Sequence, residues 1–218
     1  MRLAKNVPKL RNQLARETFK RVLKKQAERP YATEFQVVHF SIQDDHVHLI
    51  VEALAQSESE HSKTSPAQRR ELDGNALRRG VSGLMISFAR RYNRALHRKG
   101  KVWGDRHHRR DLRNPTEVRS TLLYVLQNWL RHGMRVFGDG LVDPYSSAPR
   151  FEGWADPHVT FIETEPWPKP RPRTWLLAIG WKRAGGLLRT SDVPPAARNV
   201  RWAPIVAAYV PETGPAVA

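Results

Sequence analysis

Apolar residues in this chain switch between two spacings, and the switches mark its elements. Between residues 9 and 28 they recur three and four apart, at Leu14, Thr18 and Val22 with Ala15, Phe19, Leu23 and Ala27. That spacing predicts an amphipathic helix with Lys9, Arg16, Lys20, Lys24 and Lys25 on its wet side, ended by Pro30. The run from Phe35 to Ile42 is rich in β-branched and aromatic residues and predicts a strand. Gln43-Asp44-Asp45 then turns the chain into a second strand, His46-Val47-His48-Leu49-Ile50-Val51, as a hairpin inside a sheet.

From Ala55 to Gly74 the residues are largely Ser, Glu, Gln, Lys and Asp, which predicts a surface loop. Helical spacing returns in Leu77, Val81, Leu84, Met85, Phe88, Tyr92 and Leu96, with Gly100 as the stop. Lys101 to Arg109 reads as another strand. Asn114-Pro115-Thr116-Glu117 opens a further helix, with Asn as the N-cap, Pro at the first helical position and Glu at the third; Gly133 closes it. Its apolar stripe is Val118, Leu122, Val125, Leu126 and Trp129, and Ser120, Tyr124, Gln127, Asn128 and Arg131 fall on a more polar face. From Leu141 the chain is rich in Pro and Trp, and Glu165 to Arg173 reads as an extended linker. Trp175 to Trp181 with Leu187 and Leu188 predict a short helix or helical pair packed on the main domain, and Pro194 onward shows no usable period. The class expected is α+β, with one domain over residues 1–147 and a Pro/Trp-rich extension over 148–218.

Composition narrows the chemistry. Zero cysteines exclude disulfides and thiolate zinc sites, so His, Asp, Glu, Asn and Gln are the available metal ligands. No apolar run of about 18 residues occurs and the N-terminus lacks a secretory pattern, so a cytoplasmic protein with no membrane partner is expected. The formal charge of +16 points to a polyanionic partner. A genome rich in arginine would raise the total without clustering it. Here Arg90, Arg91, Arg94, Arg98, Lys99, Lys101, Arg106, Arg109 and Arg110 share one span with Asp105 alone opposing, and Trp103 and His107 lie among them as candidate stacking and phosphate contacts.

On a strand, His46 and His48 point to the same face about 7 Å apart along the backbone, while Val47, Leu49 and Val51 point to the other. Two imidazoles make a partial metal site, and Asn128 or Gln127, beside Tyr124 on their helix, could add an amide. Imidazole suits zinc, copper, iron and nickel, and with an amide oxygen beside it Mg2+ or Mn2+ also becomes possible. The need for positions open to a phosphate favours a hard, weakly held ion. Tyr124 is then a candidate nucleophile, since a phenol of pKa near 10 attacks a phosphodiester poorly unless the phosphate is polarised.

These motifs resemble the single-tyrosine HUH transposases, specifically the REP-associated tyrosine transposase branch. The resemblance rests on His46-Val47-His48, a following helix, the Arg- and His-rich segment Gly100 to Arg109 with its Trp103, and Tyr124-Val125-Leu126-Gln127-Asn128. It runs over roughly residues 1 to 147 and ends in Asp143-Pro144-Tyr145-Ser146-Ser147, similar to the branch's Trp-Ser-Ser ending. It implies an antiparallel, ferredoxin-like sheet backed by helices, with the metal on the sheet and the tyrosine helix against it. It also implies cleavage of single-stranded DNA near a hairpin through a 5′-phosphotyrosine, followed by joining to a free 3′-hydroxyl. Asp45 stands where the family usually has Asn or another uncharged residue, and Met1-Arg2-Leu3 looks like only the end of the family's opening strand. Besides a DNA-nicking transposase, a catalytically silent DNA-binding relative and an unrelated HxH metallohydrolase stay open, as do monomer and homodimer.

Overall fold

The computed structural model describes residues 2–54, 65–131, 142–157, 159, 170–194 and 205–209. Its strands are Phe35–Ile42 (β1), Val47–Ala53 (β2), His108–Asp111 (β3) and Ile205–Tyr209 (β4), in one sheet of order β1-β2-β4-β3. The helices are Gln13–Ala27 (α1), Pro66–Ala95 (α2), Pro115–Arg131 (α3) and the single turn Trp175–Ala178 (α4), so the class is α+β. No described helix is long and apolar enough to cross a membrane.

The hairpin forms as its pattern predicts. β1 and β2 pair antiparallel from Phe35 with Ala53 to Ile42 with Val47, with a bulge between Val37 and His39. Alternation along β2 then divides the core in two. Val47, Leu49, Val51 and Ala53 join Ala15, Phe19, Val22 and Leu23 of α1 and the stripe Leu77 to Tyr92 of α2. Ile50 joins Val118, Leu122, Val125 and Leu126 of α3, together with Leu176, Leu177, Trp181 and Leu188 of the extension. The sheet is thus covered on both faces, and residues beyond 148 share a core with α3, as the apolar spacing there predicted.

β1 is an edge strand, and the Asp143 to Ser147 segment covers it. Ser147 Oγ accepts from Phe40 N at 3.1 Å, Ser146 bridges Ser41, and buried Asp143 holds Arg11 through two hydrogen bonds of 2.8 and 3.0 Å. Paired this way, the edge offers fewer open backbone groups to a foreign strand.

The structure departs from the sequence expectations in several places. The hydrophilic stretch is helical from Pro66, because Ser65 and Gln68 form a reciprocal capping box at 3.1 and 3.3 Å; residues 55–64 lie outside the described residues. α1 begins at Gln13 rather than residue 9, where the Asn12 side chain accepts from Ala15 N at 2.9 Å. Within it Leu14 is 40 % exposed and Lys20 is 7 % exposed, the reverse of the predicted stripe. Lys101 to His107 is not a strand; Trp103 alone makes a bridge there, to Leu3, and β3 begins at His108. Gly133 and residues 165–169 of the linker lie outside the described residues.

The sheet also differs from a wholly antiparallel one. Arg2 and Leu3 bridge His46 and Trp103 in antiparallel sense, and farther along the same gap β4 pairs parallel with both β2 and β3. A strand between two others satisfies the backbone groups of both neighbours. Its sequence, Ile-Val-Ala-Ala-Tyr, has no alternation because strands inside a parallel arrangement read as continuous apolar runs.

One close approach fixes the register of α2 on the sheet. A Cβ added at Gly80 would lie 2.1 Å from Phe35 Cγ, and Phe35 is itself buried. Replacing a helical Gly by Ala gains up to about 1 kcal/mol of propensity, but overpacking a core costs about 1–3 kcal/mol. At 2.1 Å the clash wins. Gly80→Ala is expected to lower the melting temperature by several degrees in a thermal scan, and an unchanged or higher value would show that Phe35 moves aside freely.

Candidate active site

Because β2 alternates, His46 and His48 leave the sheet on the face that α3 covers. Their Nε2 atoms converge to 2.8 Å. His46 Nδ1 faces the Asp45 carboxylate at 2.6 Å, which fixes the ring and leaves Nε2 to point inward. Burial pushes the His46 pKa down, and although Asp45 pulls the other way the net shift is downward, so the imidazole is neutral near pH 7. Burial alone would raise the Asp45 carboxyl, but the hydrogen bond and charge of His46, with Arg2 nearby, outweigh it and hold it below its ordinary value. Sequence reading treated Asp45 as a departure from pattern. Its position immediately before His46 was the available signal.

α3 brings the tyrosine to these rings. Asn114 Oδ1 accepts from Glu117 N at 2.9 Å, as the N-cap predicts, while Glu117 reaches back to Arg113 N at 2.8 Å rather than to the cap itself. Two turns on, Tyr124 OH lies 3.4 Å from His48 Nε2, with the rings edge to face at 5.0 Å between centroids. The apolar stripe of α3 thus packs on the sheet while its more polar face reaches the histidines. Tyr124 is 9 % exposed and His48 1 % exposed, so the contact is an interior one.

The two candidate amides separate. Gln127 donates to Thr190 O at 2.7 Å and accepts from Trp129 Nε1 at 3.0 Å, so both ends of its amide are committed away from the histidines. It also carries non-helical angles, φ −117° and ψ 15°, that kink α3 between Tyr124 and Asn128. Asn128 is 2 % exposed, and its Nδ2 is buried with no hydrogen-bond partner among the described residues. Turning such an amide over exchanges its nitrogen and oxygen in the same space, so the unpartnered atom fits a site that takes an oxygen ligand.

Two donors bound side by side to one ion at about 2.1 Å lie about 3 Å apart. The 2.8 Å between the imidazole nitrogens fits such a pair, and fits a hydrogen bond between one protonated and one bare nitrogen as well. Among the described residues no group of three or more His, Asp and Glu is placed to hold a metal.

The predicted nucleic-acid contacts divide into surface and structural groups. Arg90, Arg94, Lys99, Lys101 and Arg106 are exposed, and Arg91 is half-buried. Arg98 bonds Asn93 Oδ1 at 2.6 Å and reaches the Lys101 carbonyl, closing the turn after α2. Arg109 pairs with Asp111 at 2.6 Å, and Arg110 approaches Glu117 at 4.0 Å. Trp103 is half-buried, donates to Met85 O at 3.0 Å and leans on Phe88, so the scaffold holds its ring in place. His107 is half-buried. Arg78, unnoticed in the sequence because it lies on α2 outside the basic run, joins Arg106, His107 and Arg109 around one cleft.

Comparison of the chain with family models, with curated proteins and with solved structures finds no match.

Proposed function

We propose that the chain cuts and rejoins single-stranded or hairpin DNA as a single-tyrosine HUH-type transposase. The observation that carries this reading is the contact of Tyr124 OH with His48 at 3.4 Å, where His48 in turn meets His46. Tyr124 supplies the oxygen that adds to the phosphorus as the bond to the 3′ oxygen breaks; the phenol loses its proton and the departing 3′ oxygen gains one. The product is a 5′-phosphotyrosine and a free 3′-hydroxyl, and attack by another 3′-hydroxyl reverses the step. A magnesium or manganese ion held by His46, His48 and Asn128 would polarise the phosphate as a Lewis acid. Asp45 orients His46, and the exposed cations draw the strand to the surface.

The test is incubation of labelled hairpin DNA with protein and manganese, followed by a denaturing gel. A covalent adduct at the 5′ side of the break supports the proposal, and its absence over a range of hairpins sinks it. The burial of Tyr124 and His48 favours a second reading, a silent relative that binds DNA without cutting it. That reading expects a shifted band on a native gel and no adduct on the denaturing one.

Metal binding is separable from cutting. His46→Ala and His48→Ala should each abolish manganese binding read from the free-ion resonance signal, and Asp45→Asn should weaken it about 10–100-fold, as loss of a partner behind a ligand does. Equal binding in all four proteins would remove the histidines from the metal site. DNA affinity should persist in these variants but depend on salt. Replacing exposed Arg90, Arg94 and Lys101 with Ala is expected to reduce the slope of log affinity against log salt by about 2, at about 0.7 per phosphate on a single strand. An unchanged slope would place the strand elsewhere.

A further inference from the structure

The cleft between α2 and the segment leading into β3 plays no part in the tyrosine chemistry, since α2 packs on the opposite face of the sheet from Tyr124. Its volume is about 630 Å³, within the range of small-molecule sites. Leu77 and Met85, each 2 % exposed, and half-buried Trp103 give it an apolar floor. Ile86 stands at its side 51 % exposed, a large apolar residue that no described residue covers.

The rim is cationic. Arg78 and Arg106 are exposed, Arg109 contributes a guanidinium shared with Asp111, and the one carboxylate in the lining, Asp105, accepts from Arg2 N at 2.7 Å. Burial lowers the His107 pKa, and the positive charges of neighbours including Arg109 and Arg78 lower it further, so positive potential gathers here. A bare phosphate would leave the apolar floor unused, and an apolar ligand would leave the arginines unused. A flat ring carrying an anion uses both.

We infer that this cleft takes one nucleotide, its base over Leu77, Met85 and Trp103 beside Ile86, and its phosphate among Arg78, Arg106 and Arg109. The nucleotide is either an unpaired position in a strand, which rests on the DNA reading above, or a free one.

The experiment measures binding by the full chain without divalent metal. Fluorescence anisotropy compares a labelled thymidine oligonucleotide with an abasic strand of equal length and charge, and dTMP and dAMP are titrated separately by calorimetry. The base-bearing strand should bind about tenfold tighter, the worth of one stacked base; Ile86→Glu should erase that preference, and Arg78→Ala should weaken both strands and abolish mononucleotide binding, while the melting temperature holds. Mononucleotides that compete with the oligonucleotide identify the strand as the source; mononucleotide binding, lost in Ile86→Glu, with no preference between strands identifies a free nucleotide. Equal binding of both strands with no mononucleotide binding would overturn the inference and leave the DNA reading standing. A base preference or mononucleotide binding that survives in both variants would overturn it as well.

Discussion

Tyr124→Phe is expected to bind hairpin DNA and manganese like the wild type and to form no covalent adduct, a loss of at least about a thousandfold, since removing a nucleophile leaves only what binding and polarisation supply. Phenylalanine keeps the ring that packs edge to face on His48 at 5.0 Å and deletes only the hydroxyl beside Nε2. Tyr124 is 9 % exposed, and losing its hydroxyl costs about one net hydrogen bond, 0.5–1.5 kcal/mol, so the fold should survive. The wild-type adduct should leave a 3′-hydroxyl that a polymerase extends. An adduct persisting in Tyr124→Phe, or a blocked 3′ end, would remove the tyrosine from the role. Metal-dependent hydrolysis that continues in Tyr124→Phe with no adduct in either protein would favour the unrelated metallohydrolase.

Much of this site was legible because short-range rules decide it. Strand alternation puts His46 and His48 on one face, and the Asn114 cap sets the phase of α3 so that Tyr124 turns toward them. What stayed hidden depends on partners far along the chain. Gln127 and Asn128 both lie about one turn beyond Tyr124, and what distinguishes them is that Thr190 and Trp129 engage the first while the second's Nδ2 has no partner among the described residues. Likewise β4 has no period of its own to read, because its place is set by the gap between β2 and β3. The helical start of α2 was a different kind of miss. Ser65, Pro66 and Gln68 carried the capping signal, and the polar composition around them obscured it.

Arg173 and Thr174, at the start of α4, are held to the sheet by one buried residue, and the largest loss of stability is expected there. Glu52 lies on the same face of β2 as His48 and is fully buried. Its Oε1 accepts from Thr174 N at 2.9 Å and Thr174 Oγ1 at 2.7 Å, and its Oε2 from Arg173 N at 2.9 Å and Gln36 Nε2 at 2.5 Å. Glu52→Ala strands the two buried Thr174 donors away from water at about 1–3 kcal/mol each if neither relaxes, and takes an acceptor from the part-buried Arg173 N and Gln36 Nε2. With partial relaxation a loss of about 3 kcal/mol is expected, a large part of the 5–15 kcal/mol that holds a domain together. Glu52→Gln keeps the volume but turns an N–H2 group toward backbone donors, so it should fall between. Thermal melts and limited proteolysis around residues 170–188 read the effect, and a Glu52→Ala protein as stable and as resistant as the wild type would refute it. Leu176, Leu177, Trp181 and Leu188 share the core that buries Tyr124. Loosening them should therefore open the tyrosine to a strand: an active enzyme then forms adduct faster at temperatures below its melting point, and a silent DNA-binding relative forms none.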